Sequence, residues 1–329
     1  MSTIALPVSL DASSALEFAA NISAHAQEPQ VIVDFTTLHS IEPFGLLYAG
    51  AAIRAFFRER VGRGDGVHGV RAGEPAHEYL AHIGFFQWLG IQVGKSPGAV
   101  AGGATWLPVT TLTRADFDTR ATETGKQLGD VIQQECERLA RMVTQSNQLK
   151  ATAPVAYCLR EVVRNVFEHA ETDRCVLCAQ KCEDGAIELA VLDQGRGIRR
   201  SLEERLQFTS DGEALRNALR PGVSRCPCND PDNPWGNSGF GLFVLSELGR
   251  ELGAFRVVSG QASLHLTGGE IREESATLCG TAIQLRLRRP KGVNLANYIE
   301  SIIARGESAS VSGASPRASK STRILGSAT

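Results

Sequence analysis

The sequence has little that would suit it to a strongly charged or strongly apolar partner. Its 34 Lys and Arg against 36 Asp and Glu leave a net charge of -2, which gives no electrostatic reason to expect nucleic acid. Basic residues are scattered, and the densest group, Arg286, Arg288, Arg289 and Lys291, reads as a solvated strand end. No apolar run is long enough to span a bilayer; the nearest, Phe44 to Phe57, is interrupted by Arg54. Ala24-His25-Ala26 mimics a signal-cleavage site. No Lys or Arg precedes it, however, and Asp11 and Glu17 stand where such a signal has its apolar core. The expectation is a cytoplasmic protein that engages neither membrane nor nucleic acid.

Support for a zinc site is thin as well. Of eight cysteines, Cys175-x-x-Cys178 and Cys226-x-Cys228 have suggestive spacing. Cys175 and Cys178 fall three apart on an expected strand, so their side chains point to opposite faces. A reduced chain also uses buried Cys as a small hydrophobe. Cys226 and Cys228 would need further ligands from the loop they occupy.

What is present fits two ordinary α/β units. The length of 329 residues suffices for two domains, and 43% hydrophobic with 21% charged residues suits a globular chain. Thr3 to Leu10 reads as a strand, Ala12 to Ala26 as a helix, and the β-branched run Val31 to Phe35 as a buried strand. Pro43 sits near the start of a helix from Gly45 to Arg60, where its missing N–H costs least. A strand near Val67 to Val70, a helix from Pro75 to Leu89 and a strand–loop–strand over 91–112 complete the alternation. Leu128, Val131, Ile132, Cys136, Leu139 and Val143 form a helical stripe. The domain division is expected at 122/123, the second unit spanning 123–295.

In that second unit Val162, Val163, Val166 and Phe167 recur at helical spacing, in a helix that Pro154 starts. Glu161, Asn165 and His169 lie four apart and so stack on one helix face. An apolar strand, Ile187 to Leu192, then runs into Asp193-Gln194-Gly195-Arg196-Gly197. Further on come Asn237-Ser238-Gly239-Phe240-Gly241-Leu242 and Gly280-Thr281. A helix from Phe240 to Leu252, a hairpin of Ala254–Leu266 and Glu270–Leu278, and a final strand Thr281–Leu287 are expected around them. Residues 199–235 form a long connection containing Pro221, Pro227, Pro231 and Pro234, and a loop of that length is functional or disordered. Past Ala304 the small polar residues point to a disordered tail, so 296–329 is read as a helix end and tail.

In order and spacing these pieces resemble the N-box and the glycine boxes of the GHKL family of ATP-binding domains, which includes gyrase, MutL, histidine kinases and the anti-sigma-factor serine kinases. The resemblance covers roughly 150–290. It implies an α+β two-layer sandwich, ATP and Mg²⁺ as ligands, and 199–235 as the ATP lid. The second glycine box departs from the pattern, with Asn237 where a third glycine is usual. Asp34 to Leu46 resembles the strand–turn–helix of STAS domains: Glu42 and Gly45 match, but Pro43 and Phe44 occupy the hydroxyl positions. That likeness implies an N-terminal STAS-like α/β docking domain, residues 1–122, that is not switched by phosphorylation at the usual place.

The roles the resemblance implies make chemical sense. Asp193 would accept a hydrogen bond from the adenine amine, although an Asp at such a place also caps turns. Gly195 and Gly197 would bend the chain around the base. Asn165 would give Mg²⁺ a hard oxygen ligand and so explain an Asn in mid-helix, where it costs propensity. Glu161 would accept a proton from water or a hydroxyl, the alternative being an ordinary exposed carboxylate. Gly239 and Gly241 would open a helix whose N-terminal N–H groups favour phosphate, and Thr281 would reach the adenine pocket. His169 is read as a structural hydrogen-bonding group.

The expected function is an ATP-binding regulatory protein acting as ATPase or protein Ser/Thr kinase, with a protein partner and with a homodimer left open. A nucleotide-gated interaction module without chemistry is the alternative. A degenerate histidine kinase is disfavoured, since the helix over 128–145 holds no His and His77-Glu78 lies far from the N-box.

Overall fold

The computed structural model describes residues 1–97, 103, 105–224, 238–288 and 293–309; Arg225, Cys226, Cys228, Gly236, Asn237, Arg289 and Lys291 lie outside them. The chain opens β1 (Ser2–Ala5), β2 (Ser9–Leu10), α1 (Ala12–Ala24), β3 (Val31–Asp34), β4 (Ser40–Ile41), α2 (Pro43–Glu59), β5 (Gly66–His68), α3 (Pro75–His82) and α4 (Phe85–Leu89). β1, β3 and β5 form a parallel sheet in the order β1-β3-β5, and β2 pairs with β4. The single strand expected over Thr3–Leu10 is two strands, parted around Pro7, which has no N–H for a ladder. The helix expected over Pro75–Leu89 is likewise broken, because Gly84 adopts φ +84° and caps α4. Of the strand–loop–strand expected over 91–112, only the second strand forms among the described residues.

The start of α1 follows from its sequence. Asp11 accepts from the Ser13 and Ser14 N–H groups, and Ser14 Oγ accepts from Asp11 N–H in return, a reciprocal cap. α2 has no such device of its own. Its N-cap, Glu42, makes no side-chain bond to the helix. Glu188, from 144 residues further along, accepts from Phe44 N–H at 3.2 Å instead.

The chain continues with β6 (Trp106–Thr113), α5 (Arg114–Thr124), α6 (Leu128–Thr144), α7 (Leu149–His169), β7 (Arg174–Lys181), β8 (Ile187–Asp193), α8 (Ile198–Leu202), α9 (Asp211–Ala218), α10 (Gly241–Leu252), β9 (Gly253–Thr267), β10 (Glu270–Leu287) and α11 (Leu295–Ser308). β6-β7-β8-β10-β9 is the order of a five-stranded sheet, antiparallel at every pairing. The expected division at 122/123 therefore falls behind β6, a strand of this sheet, and inside α5. α7 starts at Leu149, not at Pro154, which lies inside it. β10 is one strand where two were expected, with register shifts between Ser275 and Thr281. α11 runs on to Ser308, with Ile299, Ile302 and Ile303 buried, past the expected start of the tail; residues 310–329 are outside the described set.

Both faces of the sheet are covered. Cys175, Leu177, Leu189, Val191, Val257 and Ile283 face the helices α6, α7, α10 and α11. Val176, Cys178, Ala190, Leu192, Val258 and Ala282 face α1, α2 and the rest of the N-terminal unit. Alternation along β7 thus puts Cys175 and Cys178 into different cores. The fold is a mixed α/β arrangement: helices, sheet, then the N-terminal α/β unit. Two-sided burial accounts for the near-continuous apolar run of β8. No helix among the described residues is long and apolar enough to cross a membrane.

Candidate functional site

α7 carries Glu161, Asn165 and His169 along one face, and all three line a cleft between α7, the end of β8, the Thr281–Ile283 stretch inside β10, and the start of α10. The cleft is open to solvent at its mouth. Asp193, Gly197, Gly239, Gly241 and Thr281 line it too. Gly195 does not. A Cβ there would lie 2.0 Å from the carbonyl oxygen of Ala170, and the next residue, Arg196, donates its N–H to that oxygen at 2.8 Å. Gly195 lets the loop close onto the end of α7.

Asp193 ends β8 directly opposite Thr281 of β10. It is 4% exposed, and one carboxylate oxygen accepts from Gly195 N–H at 2.8 Å. Burial pushes its carboxyl up to about 6, while hydrogen bonds from Gly195 and Thr281 pull the other way. Gly197 has φ +79° and abuts Ser259. Ser259 Oγ accepts from Ile198 N–H at 2.9 Å and donates to the Gly280 carbonyl at 2.8 Å, tying the first glycine loop to the strand carrying Thr281. Nothing in the sequence marked Ser259, 61 residues from its partner.

Glu161 is not an exposed helix carboxylate; it is 7% exposed. Its Oε1 accepts from Arg160 Nε at 3.2 Å and Nη2 at 2.8 Å, and Arg160 Nη1 donates to Gln133 of α6 at 3.1 Å. The other oxygen, Oε2, lies against Gly241, where a Cβ would sit 2.7 Å away. Asn165 Nδ2 is buried and has no hydrogen-bond partner among the described residues. Behind this face Glu168 is buried, accepts from Arg164 Nε at 3.0 Å and lies 3.8 Å from His169 Nε2. Burial pushes the Glu168 carboxyl up to about 7.

Gly239, at φ +70°, packs on the backbone of Gly222 and Val223. α10 then starts with Phe240 as N-cap and, among the described residues, no side-chain capping bond, so its first-turn N–H groups could face an anion. The expected loop 199–235 is partly helical, with α8 ending at Leu202 and α9 over Asp211–Ala218; residues 225–235 are outside the described set. α9 had a readable signal. Ser210-Asp211-Gly212-Glu213 has the S-x-x-E form, Ser210 Oγ accepts from Glu213 N–H, and Glu213 reaches back to Thr209 N–H.

His77, the only His that resembled a phosphoacceptor site, is a core residue. Its Nδ1 accepts from Arg71 N–H at 3.0 Å and its Nε2 lies 2.9 Å from the Phe35 carbonyl oxygen. The described residues contain no cluster of three or more His, Cys, Asp or Glu side chains placed to hold a metal. No family model matches the chain, and neither a curated protein nor a solved structure matches it.

Proposed function

We propose that the chain is an ATP-binding regulatory protein of the GHKL type, its cleft binding Mg-ATP and catalysing either hydrolysis or transfer of the terminal phosphoryl group to a protein Ser or Thr. The observation that carries this reading is the convergence on one cleft of Glu161 and Asn165 from α7, Asp193 from β8, Thr281 from β10 and the uncapped start of α10. A sandwich of antiparallel sheet and helices with the cleft between them agrees with that family's architecture. We also propose a cytoplasmic location and a protein partner.

The residues present fit the ligands. A buried amide N–H₂ with no partner costs about 1–3 kcal/mol; Asn165 would recover this by donating from Nδ2 to a phosphate oxygen, while its Oδ1 would be the ligand to a phosphate-bound Mg²⁺. Magnesium, when bound, would offset the charge of the phosphates. Asp193, in its ionised form, would accept from the exocyclic amine of adenine, with the Thr281 hydroxyl beside it. The first-turn N–H groups of α10 would face the phosphates. Glu161 Oε2, which Arg160 leaves free of its ion pair, would take the proton of the attacking water or hydroxyl as the terminal phosphoryl group moves and ADP leaves.

The Arg160–Glu161 pair also favours a second reading. A carboxylate held in this way serves as well to brace α7 against α6, which would suit a nucleotide-gated interaction module without turnover. In either case the partner would not dock on the STAS-like turn. Phe44 is 1% exposed, and the N-terminus of α2 is covered by Glu188 on the sheet face opposite the cleft.

Phosphate release and transfer of radiolabel from ATP, measured for the wild type, Glu161→Ala and Asn165→Ala, separate the readings. Turnover in the wild type, lowered about 10²–10⁴-fold by Glu161→Ala with binding kept, supports the enzyme. Tight binding with neither release nor transfer leaves the gated module.

A further inference from the structure

We infer that Ser224 is a ligand-binding residue of the cleft, its hydroxyl serving the phosphate end of a nucleotide; this rests on the cleft being a Mg-ATP site. Ser224 belongs to no sequence box. Its Oγ is buried in the cleft lining, with no hydrogen-bond partner among the described residues. A hydroxyl removed from water and left unbonded disfavours the folded state, and a methyl group in its place would not. Among the described residues nothing offsets that cost, and an acceptor entering the cleft would.

The position is fixed, not slack. Gly222 N–H donates to the Gly239 carbonyl at 3.2 Å, and Val223 N–H to the Arg220 carbonyl at 3.4 Å. Arg205 Nη1 donates to the Ser224 carbonyl at 3.3 Å. A Cβ on Gly239 would come within 2.7 Å of Gly222 and Val223 backbone atoms. The turn bearing Ser224 is thus stitched to the segment that opens α10, the part of the cleft with uncapped helix N–H groups. Asp193 and Thr281 hold the strand end of the same cleft.

Asn165 Nδ2 is a second buried atom in this lining without a hydrogen-bond partner among the described residues. Two such donors from separate segments, beside an uncapped helix start, suit a group with several acceptor oxygens, which a phosphate chain is and a nucleoside base is not.

The test uses the full chain carrying Ser224→Ala, titrated calorimetrically with Mg-ATP, Mg-ADP and adenosine, and melted without nucleotide. The expected result is an unchanged or higher melting temperature, about tenfold weaker binding of Mg-ATP and Mg-ADP, and unchanged adenosine binding. Wild-type Mg-ATP affinity in the variant overturns the inference alone. So does an equal loss for adenosine, or a lowered melting temperature, since either marks a structural role. A wild type that binds none of the three overturns the Mg-ATP reading and the inference with it.

Discussion

Glu161 Oε2 occupies the space that a side chain at Gly241 would need. A Cβ on Gly241 would lie 2.7 Å from that oxygen, closer than van der Waals contact allows, and Arg160 holds the other oxygen of the carboxylate. Gly241, the first residue of α10, and Glu161 of α7 are therefore matched. Gly241→Ala should push the carboxylate off its position while leaving the fold intact, because alanine suits a helix better than glycine. Phosphate release should fall on the order of tenfold or more, with the melting temperature held or raised. Unchanged release would mean that the position of Glu161 does not matter.

On the Mg-ATP reading, Asp193 should give nucleotide affinity a pH dependence. Burial holds its carboxyl up at about 6, and the proposed hydrogen bond to adenine needs the ionised form. Mg-ATP affinity should be level above pH 7 and weaken by up to about tenfold per unit below pH 6. Asp193→Asn should weaken binding and flatten this profile. Calorimetric titrations from pH 5 to pH 8 read both.

Burial of Glu188 and Glu168 adds a contribution to stability that is largest in mild acid. Glu188 and Glu168 are each pushed up to about 7 from 4.5, chiefly by burial. A carboxyl that holds its proton more tightly when folded adds stability that is fully present below the unfolded value and is lost as pH rises through the folded one. For Glu188, fully buried, the swing is on the order of 3 kcal/mol between about pH 4.5 and 7. Glu188→Gln keeps an acceptor for Phe44 N–H without the charge. Its melting temperature should exceed that of the wild type at pH 8, and the advantage should shrink toward pH 5.

Ser210 caps α9 by accepting from Glu213 N–H. Ser210→Ala should cost about 1 kcal/mol and speed tryptic cleavage after Arg216 or Arg220. A cleavage rate equal to that of the wild type would show that α9 does not depend on its cap.

The parts of the site legible in the sequence were the local ones. Glu161 and Asn165 share a helix face because of their spacing, and Asp193 ends an apolar strand that the composition of β8 marks plainly. What the sequence does not show depends on contacts distant along it. β6 reads as the close of the first unit, because nothing within Trp106–Thr113 announces that it pairs with β7, whose partners lie 61 to 74 residues on. Glu188 sits inside an apolar run, and its role as a cap for α2 exists only once β8 lies under that helix. β10 reads as two strands in sequence; in the sheet the stretch around Gly280 is an irregularity that a continuous strand absorbs. α9 differs, since its S-x-x-E signal was present but hidden among the prolines and glycines of a stretch read as a loop.

The most direct measurement is a calorimetric titration of Mg-ATP into the full-length wild type and Asn165→Ala, each with and without Mg²⁺. The wild type should bind, and removal of Mg²⁺ should weaken it. Asn165→Ala should bind weakly and respond little to the metal, because the amide that would hold the metal is gone. No binding by the wild type, or equal and equally Mg²⁺-dependent binding by both proteins, would contradict the assignment of this cleft.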